Sequence, residues 1–442
     1  MDTIYALSSA AGRAGIAVIR LSGPGALAAL RQIVIGALPA PREVGLRRLR
    51  HPQTGVELDR GMVLLFPAPR SFTGEDVAEL HIHGGRAVVR SLLEALASCD
   101  GLRPAEAGEF ARRAFEHGKL DLTAAEGLAD LVNAETEAQR RQALRQLRGE
   151  LGALYERWRA TLLRALAHME AHIDFPEEDL PPDLAEQMQS TIAGLSAEID
   201  RHLQDERRGE RLRDGISVVI LGPPNVGKSS LLNALAGRPA AIVAAKAGTT
   251  RDVIEVQMDL AGYPVTIADT AGLRDSDDEI ESEGVRRARA RAGEADLKIL
   301  MIDAISTPHI APELSVLADR DAFFAINKCD LTPVPPDLRL CDRPTFAISA
   351  HTGAGLEALL AALREAVIER AGLAEAPAIT RQRHRLALEQ CRDALQRALA
   401  APGLELLAED LRLALRAVGR ITGRVDVEDL LDVIFREFCI GK

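Results

Sequence analysis

Residues Gly222-Pro223-Pro224-Asn225-Val226-Gly227-Lys228-Ser229 follow the apolar run Ile216 to Leu221 and precede a helix-like Ser230 to Leu235 that stops at Gly237. Strand, glycine loop and helix form the context in which this spacing binds phosphate. The glycines let backbone N–H groups close on phosphate oxygens, and the following helix turns its positive end toward them. Lys228 adds a point charge, and Ser229 offers a hydroxyl to Mg²⁺. A second constellation, Asn327-Lys328-Cys329-Asp330, follows the strand-like Ala322 to Ile326, at the carboxyl end where open α/β sheets place ligands. The Asp330 carboxylate can accept from both the ring N–H and the exocyclic amine of guanine, at about 1.5–3 kcal/mol per charge-assisted bond; adenine has neither donor there. Ser349-Ala350, after the strand-like Thr345 to Ile348, fits a backbone contact to the same base. Alone, the Asn-Lys-x-Asp tetrad could cap a helix. Downstream of a phosphate loop it points to GTP.

Two segments between these motifs read as switches. Gly248-Thr249-Thr250-Arg251-Asp252 precedes the strand-like Val253 to Leu260. A threonine hydroxyl there completes a Mg²⁺ shell only while the terminal phosphate holds the loop in. Asp269-Thr270-Ala271-Gly272 follows Val265 to Ala268 and offers a carboxylate on the Mg²⁺ side and a glycine amide for the terminal phosphate. The next residue is Leu273, whose aliphatic side chain cannot orient water. Catalytic charge must come from elsewhere, and a well-placed arginine is worth about 10³–10⁵ in rate in this reaction class. Arg251 and Arg274 flank the switches; they could act in cis or pair with nearby carboxylates. The acidic run Asp275 to Glu283 could hold a water-positioning residue or be a solvated loop.

These residues need scaffolding, and 442 residues exceed one ordinary core, so two or three domains are expected. A formal charge of −11 argues against a generally basic nucleic-acid coat and leaves RNA to local patches. The five cysteines, at 99, 329, 341, 391 and 439, form no C-x-x-C pair. Zinc, a redox dithiol and a disulfide framework are therefore disfavoured, and a reducing cytoplasm fits. No basic-then-apolar leader opens the chain and no apolar run spans a bilayer, so a soluble, cytoplasmic protein without a membrane partner is expected.

Thr3 to Leu7, Ala17 to Leu21, Gly61 to Phe66 and Val77 to His83 read as short strands, with helices at Leu27 to Val34 and Arg86 to Ala97. Residues 1–118 thus form a compact α+β unit. His81 and His83 share one strand face; with no further ligand cluster nearby, a hydrogen-bonded or solvated pair is the plainer reading than a metal site. Arg20, Glu79 and Lys119 read as ordinary surface residues. From Thr123 the pattern turns helical, with Thr123-x-x-Glu126 as a capping box and Leu144, Leu147 and Leu151 as an apolar stripe. Arg141, Arg145 and Arg148 fall on another face, solvated or RNA-binding. The helices pause at the acidic, proline-rich Asp174 to Pro182 and resume from Asp183 to about Arg213. They return as Ile379 to Leu399, Leu404 to Val418 and Val427 to Phe438. Packing the earlier helices on the later ones makes residues 119–213 and 374–442 one helical-bundle domain, with residues 214–373 inserted as a Ras-like P-loop GTPase domain.

These motifs, with Gly74-Glu75-Asp76, Lys119-Leu120-Asp121-Leu122, Ile421-Thr422-Gly423 and the terminal Cys439-Ile440-Gly441-Lys442, resemble the MnmE (TrmE) family of bacterial tRNA modification GTPases over essentially the whole chain. The resemblance implies a folate-binding N-terminal domain that dimerises, a helical domain, and an inserted G domain. It implies GTP as substrate, Mg²⁺, K⁺, and 5-formyltetrahydrofolate or a related folate. As partners it implies tRNA, a second copy of the chain, and the FAD-dependent MnmG in a heterotetramer-like complex. Together these install an aminomethyl or carboxymethylaminomethyl group at C5 of the wobble uridine of certain tRNAs. The nucleotide-binding set it implies comprises Asn225, Val226, Gly227, Lys228, Ser229 and Ser230; Ala244, Ala245, Lys246, Ala247, Gly248, Thr249 and Thr250; Asp269, Thr270, Ala271 and Gly272; and Asn327, Lys328, Asp330, Ser349 and Ala350.

In the same resemblance Mg²⁺ falls to Ser229 and Thr250, and K⁺ to the Asn225 side-chain oxygen, the carbonyls of Ala244 and Lys246, and Thr249. This chain has Ala244 where threonine is common, so it offers only its carbonyl there. Glu281 matches a water-orienting glutamate. Arg20, Glu79, Lys119 and Lys442 match folate-binding positions. The terminal tetrapeptide is a poor prenylation box because lysine ends it, and for Cys439 a buried helix-end thiol and a functional thiol both stay open. Two competing readings are a ribosome- or RNA-assembly GTPase switch without modification chemistry, and a folate-dependent one-carbon transferase in which GTP only regulates. The base assignment predicts that Asp330→Asn shifts preference toward xanthine nucleotides, because an amide can donate where guanine donates; unchanged GTP turnover would count against it.

Overall fold

The computed structural model describes residues 2–174, 184–205, 207–242, 255–269, 292–293, 295–306, 310–372, 377–425, 428–436, 438 and 440–441. They fall into two compact units, Met1–Ala129 with Arg145–Ser196 and Gln390–Lys442, and Asp130–Leu144 with Ala197–Glu389. Outside the described residues lie Ala244 to Arg251, Thr270 to Glu281 with Leu273 and Arg274, Cys439 and Lys442.

In the first unit, β1 (Thr3–Leu7), β2 (Ile16–Ser22), β3 (Val34–Ile35), β4 (Gly45–Arg50), β5 (Glu57–Phe66), β6 (Val77–His83) and β7 (Leu102–Pro104) form a sheet in the order β3-β4-β5-β6-β2-β1-β7. All pairs are antiparallel except β1 with β7. Alternation sends Ile19, Leu21, Leu80 and Ile82 to one face, against helices Ala26–Ile33 and Arg86–Ala97. Ile4 and Ala6 point to the other face and meet Phe110 of helix Glu109–Glu116. That helix then packs, through Ala111, on Leu122, Ala125, Leu431, Ile434 and Phe435. Helix Glu150–Asp174 lies along helix Leu404–Thr422, with Glu170 bonded to Arg412 at 3.0 Å and Glu156 to Thr422 at 2.9 Å. Among the described residues no helix is long and apolar enough to cross a membrane.

Several expectations change here. β5 runs through Gly61 instead of starting at it, because a Cβ there would stand 2.6 Å from the His81 carbonyl of β6. The glycine marks close strand approach, not a turn. β4, with the sequence Gly-Leu-Arg-Arg-Leu-Arg, carries too many charges to read as a strand, yet its Leu49 is buried. The expected capping box is absent: helix Leu122–Asn133 is capped by Asp121, whose Oδ1 accepts from the Ala124 N–H at 2.8 Å and the Thr123 hydroxyl at 2.7 Å. Thr123 and Glu126 are instead buried inside the helix. The arginine stripe is also broken, since helix Glu137–Leu147 ends before Arg148. Arg141 pairs with Glu137 and Arg145 with Glu150, each at 2.8 Å, which favours solvated ion pairs over an RNA stripe.

The second unit holds β8 (Ile216–Leu221), β9 (Ala241–Ile242), β10 (Glu255–Leu260), β11 (Tyr263–Asp269), β12 (Leu297–Asp303), β13 (Ala322–Asn327) and β14 (Thr345–Ala347) in the order β14-β13-β12-β8-β11-β10-β9. Strands β14 through β11 are parallel; β10 runs antiparallel to both its neighbours, β11 and β9. Buried on both faces, β12 and β13 are near-continuous apolar runs. Helices Lys228–Ala236 and Leu356–Ala371 cover the face carrying Val218 and Ile220; Ala292, Leu314 and Leu340 cover the face carrying Val219 and Leu221. The strand order reverses at β8, so ligands are expected beyond its carboxyl end.

Candidate active site

Beyond β8 the chain enters the phosphate loop and then helix Lys228–Ala236, two residues earlier than its apolar pattern suggests. Gly227 caps that helix at φ +101, and a Cβ there would sit 2.3 Å from the Asn327 side-chain nitrogen. Only glycine meets both conditions. Lys228 is buried and its ammonium donates to the carbonyls of Gly222 at 2.9 Å and Pro223 at 3.0 Å. Burial pushes its pKa below the ordinary lysine value, and the charge of Asp269 opposes that shift. Asp269, at the end of β11 and 1% exposed, accepts from the Ser229 hydroxyl at 2.6 Å. Asn225 sits exposed at the loop with φ +60.

The Asn-Lys-x-Asp tetrad, expected to read the base, is built onto the same loop. Asn327, at the end of β13, donates through Nδ2 to the Val226 carbonyl at 2.8 Å and accepts at Oδ1 from the Ala350 N–H at 3.0 Å. The Ser349 N–H donates to Ala354 at 2.9 Å, and its hydroxyl accepts from Thr352 at 3.1 Å. Ala350, expected to face the base, thus spends its amide on orienting Asn327. Asp330 is exposed, with no hydrogen bond among the described residues.

In the first unit the structure overturns the reading of Arg20 and Glu79 as ordinary surface residues. They are register partners on β2 and β6, and Arg20 donates through Nε at 3.0 Å and Nη2 at 2.9 Å to Glu79 Oε1. The guanidinium carbon lies 5.5 Å from the Phe72 ring centre and 5.8 Å from that of Phe110. Glu79 Oε2 meets His81 Nε2 at 3.1 Å; burial raises the Glu79 pKa, but His81 and Arg20 together hold it below the ordinary value. His83 pairs with Asp59 at 2.8 Å, so both histidines answer to carboxylates. Lys119 is exposed and lies against Gly74. Glu75 is buried, taking the Ser22 hydroxyl at 2.7 Å and Arg113 at 3.1 Å; a charged residue in an amphipathic helix gave no sequence sign that Arg113 would be buried. The terminal segment joins the same unit, with Ile440 bridged to Ala107 and the Gly441 carbonyl accepting from the Ser8 hydroxyl at 2.9 Å.

Residues 122–439 match the family model of the MnmE helical domain, and residues 3–119 match that of the GTP-binding protein TrmE N-terminus. The chain belongs to the MnmE family of tRNA modification GTPases. It is 60% identical to the tRNA modification GTPase MnmE of Parvibaculum lavamentivorans, over 100% of both chains. The corresponding protein of Paramagnetospirillum magneticum is 57% identical, again over 100% of both. The mitochondrial 5-taurinomethyluridine-[tRNA] synthase subunit GTPB3 of Danio rerio is 50% identical, over 100% of this chain and 93% of the relative.

As an MnmE-family protein the chain is a GTP hydrolase, and its phosphate loop fits the Mg²⁺ that this activity implies. Ser229 Oγ and Asp269 Oδ2, 2.6 Å apart beside Lys228, are hard oxygen donors of the kind Mg²⁺ takes, and would hold it directly or through water. When bound, the ion neutralises charge on the phosphates. Thr250, its other expected ligand, lies outside the described residues. The geometry at Gly227 predicts that Gly227→Ala lowers GTP affinity at least about 100-fold, from αL strain and displacement of Asn327 together. Equilibrium titration with a fluorescent GTP analogue checks this; an affinity within a few-fold of the parent would contradict it.

Proposed function

We propose that this GTPase, with Mg²⁺ and K⁺ bound and together with an FAD-dependent partner of the MnmG type, modifies C5 of the wobble uridine of certain tRNAs with an aminomethyl or carboxymethylaminomethyl group. The observation that carries the reading is the Ser229–Asp269 pair at the phosphate loop of a chain whose full-length relatives are tRNA modification GTPases. The name of the Danio rerio relative supports the chemistry, since it describes a subunit of an enzyme making a 5-substituted uridine in tRNA.

In this reading residues 214–373 are the G domain, residues 119–213 with 374–442 the helical domain, and residues 1–118 the dimerising, folate-binding domain. The protein works in the cytoplasm as a homodimer. Lys228 and the loop amides bind the phosphates, and Asp330 accepts from guanine. Asn225, whose left-handed backbone presents an exposed side chain at the loop, would hold K⁺ with Ala244, Lys246 and Thr249. That ion supplies positive charge which Leu273 cannot. Glu281 orients water. Arg20 and Glu79, paired on one sheet face, would meet the folate with Lys119 and Lys442. GTP turnover changes the approach of two G domains, and the helices flanking the inserted domain carry that movement toward the tRNA.

Replacing K⁺ by Na⁺ is expected to slow GTP turnover at least about 10-fold, a floor set well under the about 10³–10⁵ that a well-placed arginine supplies in this reaction class. Equal rates in the two salts remove the potassium assignment. Nucleoside analysis of tRNA from cells lacking the protein is expected to show loss of the 5-substituted wobble uridine. Its retention would leave an assembly GTPase.

A further inference from the structure

The lysine of the base-reading tetrad has a partner that none of the nucleotide motifs contains. β12, to which the residue pattern assigned nothing, ends at Asp303, the register partner of Asn327. The Asp303 carboxylate accepts from the Lys328 ammonium at Oδ2 and from the Ile305 N–H at Oδ1, at 3.0 Å. A backbone bond thus fixes the carboxylate before the lysine reaches it. Lys328 itself is left-handed, at φ +66, which turns its side chain off the line of β13. On one side of it Asn327 is locked to the phosphate loop and to Ala350; on the other Asp330 is exposed, with its carboxylate free to take a ligand.

Four methylenes lie between the Lys328 backbone and its anchored ammonium. An unanchored lysine would leave that stem sampling many rotamers, and each would have to be given up when a base binds. From this geometry we infer that Asp303 is a positioning residue for guanine nucleotides: by holding the Lys328 ammonium it lays the methylene stem against the face of the purine while Asp330 reads the edge. The inference rests on the assignment of guanine to Asp330. It adds a residue that touches no ligand and acts only through Lys328. The simple alternative is that the pair merely fastens β12 to β13.

Asp303→Asn separates the two, because an amide oxygen can still accept from Ile305 while the anion is lost. Positioning predicts that KM for GTP rises about 5–10-fold with kcat within about twofold, that GDP dissociates faster by a similar factor, and that Asp303→Glu restores part of the loss. Lys328→Met keeps most of the stem and drops the charge. It is expected to show the same loss, with none added in the Asp303→Asn/Lys328→Met double variant. Unchanged KM and GDP dissociation, additive losses, or a fall in kcat alone overturns the proposal. The Asp330→Asn background tells the two assignments apart. If xanthine nucleotides bind there, Asp303→Asn must weaken them by the same factor as it weakens GTP, since the stem meets the ring face and not its edge. If they do not, the base assignment fails whatever Asp303 does.

Discussion

One side-chain amide holds the nucleotide site together. Asn327 comes from the end of β13, yet both of its polar ends are used up by other segments, the Val226 carbonyl of the phosphate loop and the Ala350 amide after β14. It is 3% exposed, so neither bond can be replaced by bulk water. Losing it would strand the buried Val226 carbonyl, at about 1–3 kcal/mol, and leave the half-buried Ala350 N–H without its acceptor. Gly227 leaves the room that amide occupies, since a Cβ there would sit 2.3 Å from its nitrogen. In consequence the phosphate end and the base end of the site are a single object, although about a hundred residues separate them in the chain.

The first unit uses buried charge in a comparable way. Arg113 reaches Glu75, Asp2 and Glu109 from one guanidinium, and Glu75 also takes the Ser22 hydroxyl. Such pairs add little net stability against apolar packing, but removing one member costs about 3–5 kcal/mol because the rest stay buried. Their effect is orientation: the Gly74-Glu75-Asp76 turn is fixed against helix Glu109–Glu116, whose Phe110 lies under Arg20. The Arg20–Glu79 pair is thereby stacked on an aromatic ring and held in one direction.

What could be read in the sequence was local. The phosphate loop, the Asn-Lys-x-Asp tetrad and most strands announce themselves within a dozen residues, because turn chemistry and periodicity act at that range. The misses arose where a distant segment sets the conformation. Gly61 breaks no strand because β6 needs the space its missing side chain leaves. Asp121 outcompetes the Thr123 box as the helix cap. Arg20 and Glu79 looked superficial because nothing in either neighbourhood shows that β2 and β6 pair in that register. Asp303 was hidden for the same reason, its partner lying 25 positions downstream.

Asn327 organises the phosphate loop from the end of β13. Amide hydrogen exchange of residues 226–229, measured without nucleotide in Asn327→Ala and in the parent protein, tests it most directly. Exchange in the loop is expected to speed up by about 10–100-fold, the factor that follows from losing one to two hydrogen bonds at the site. Loop exchange rates indistinguishable from the parent's would contradict it.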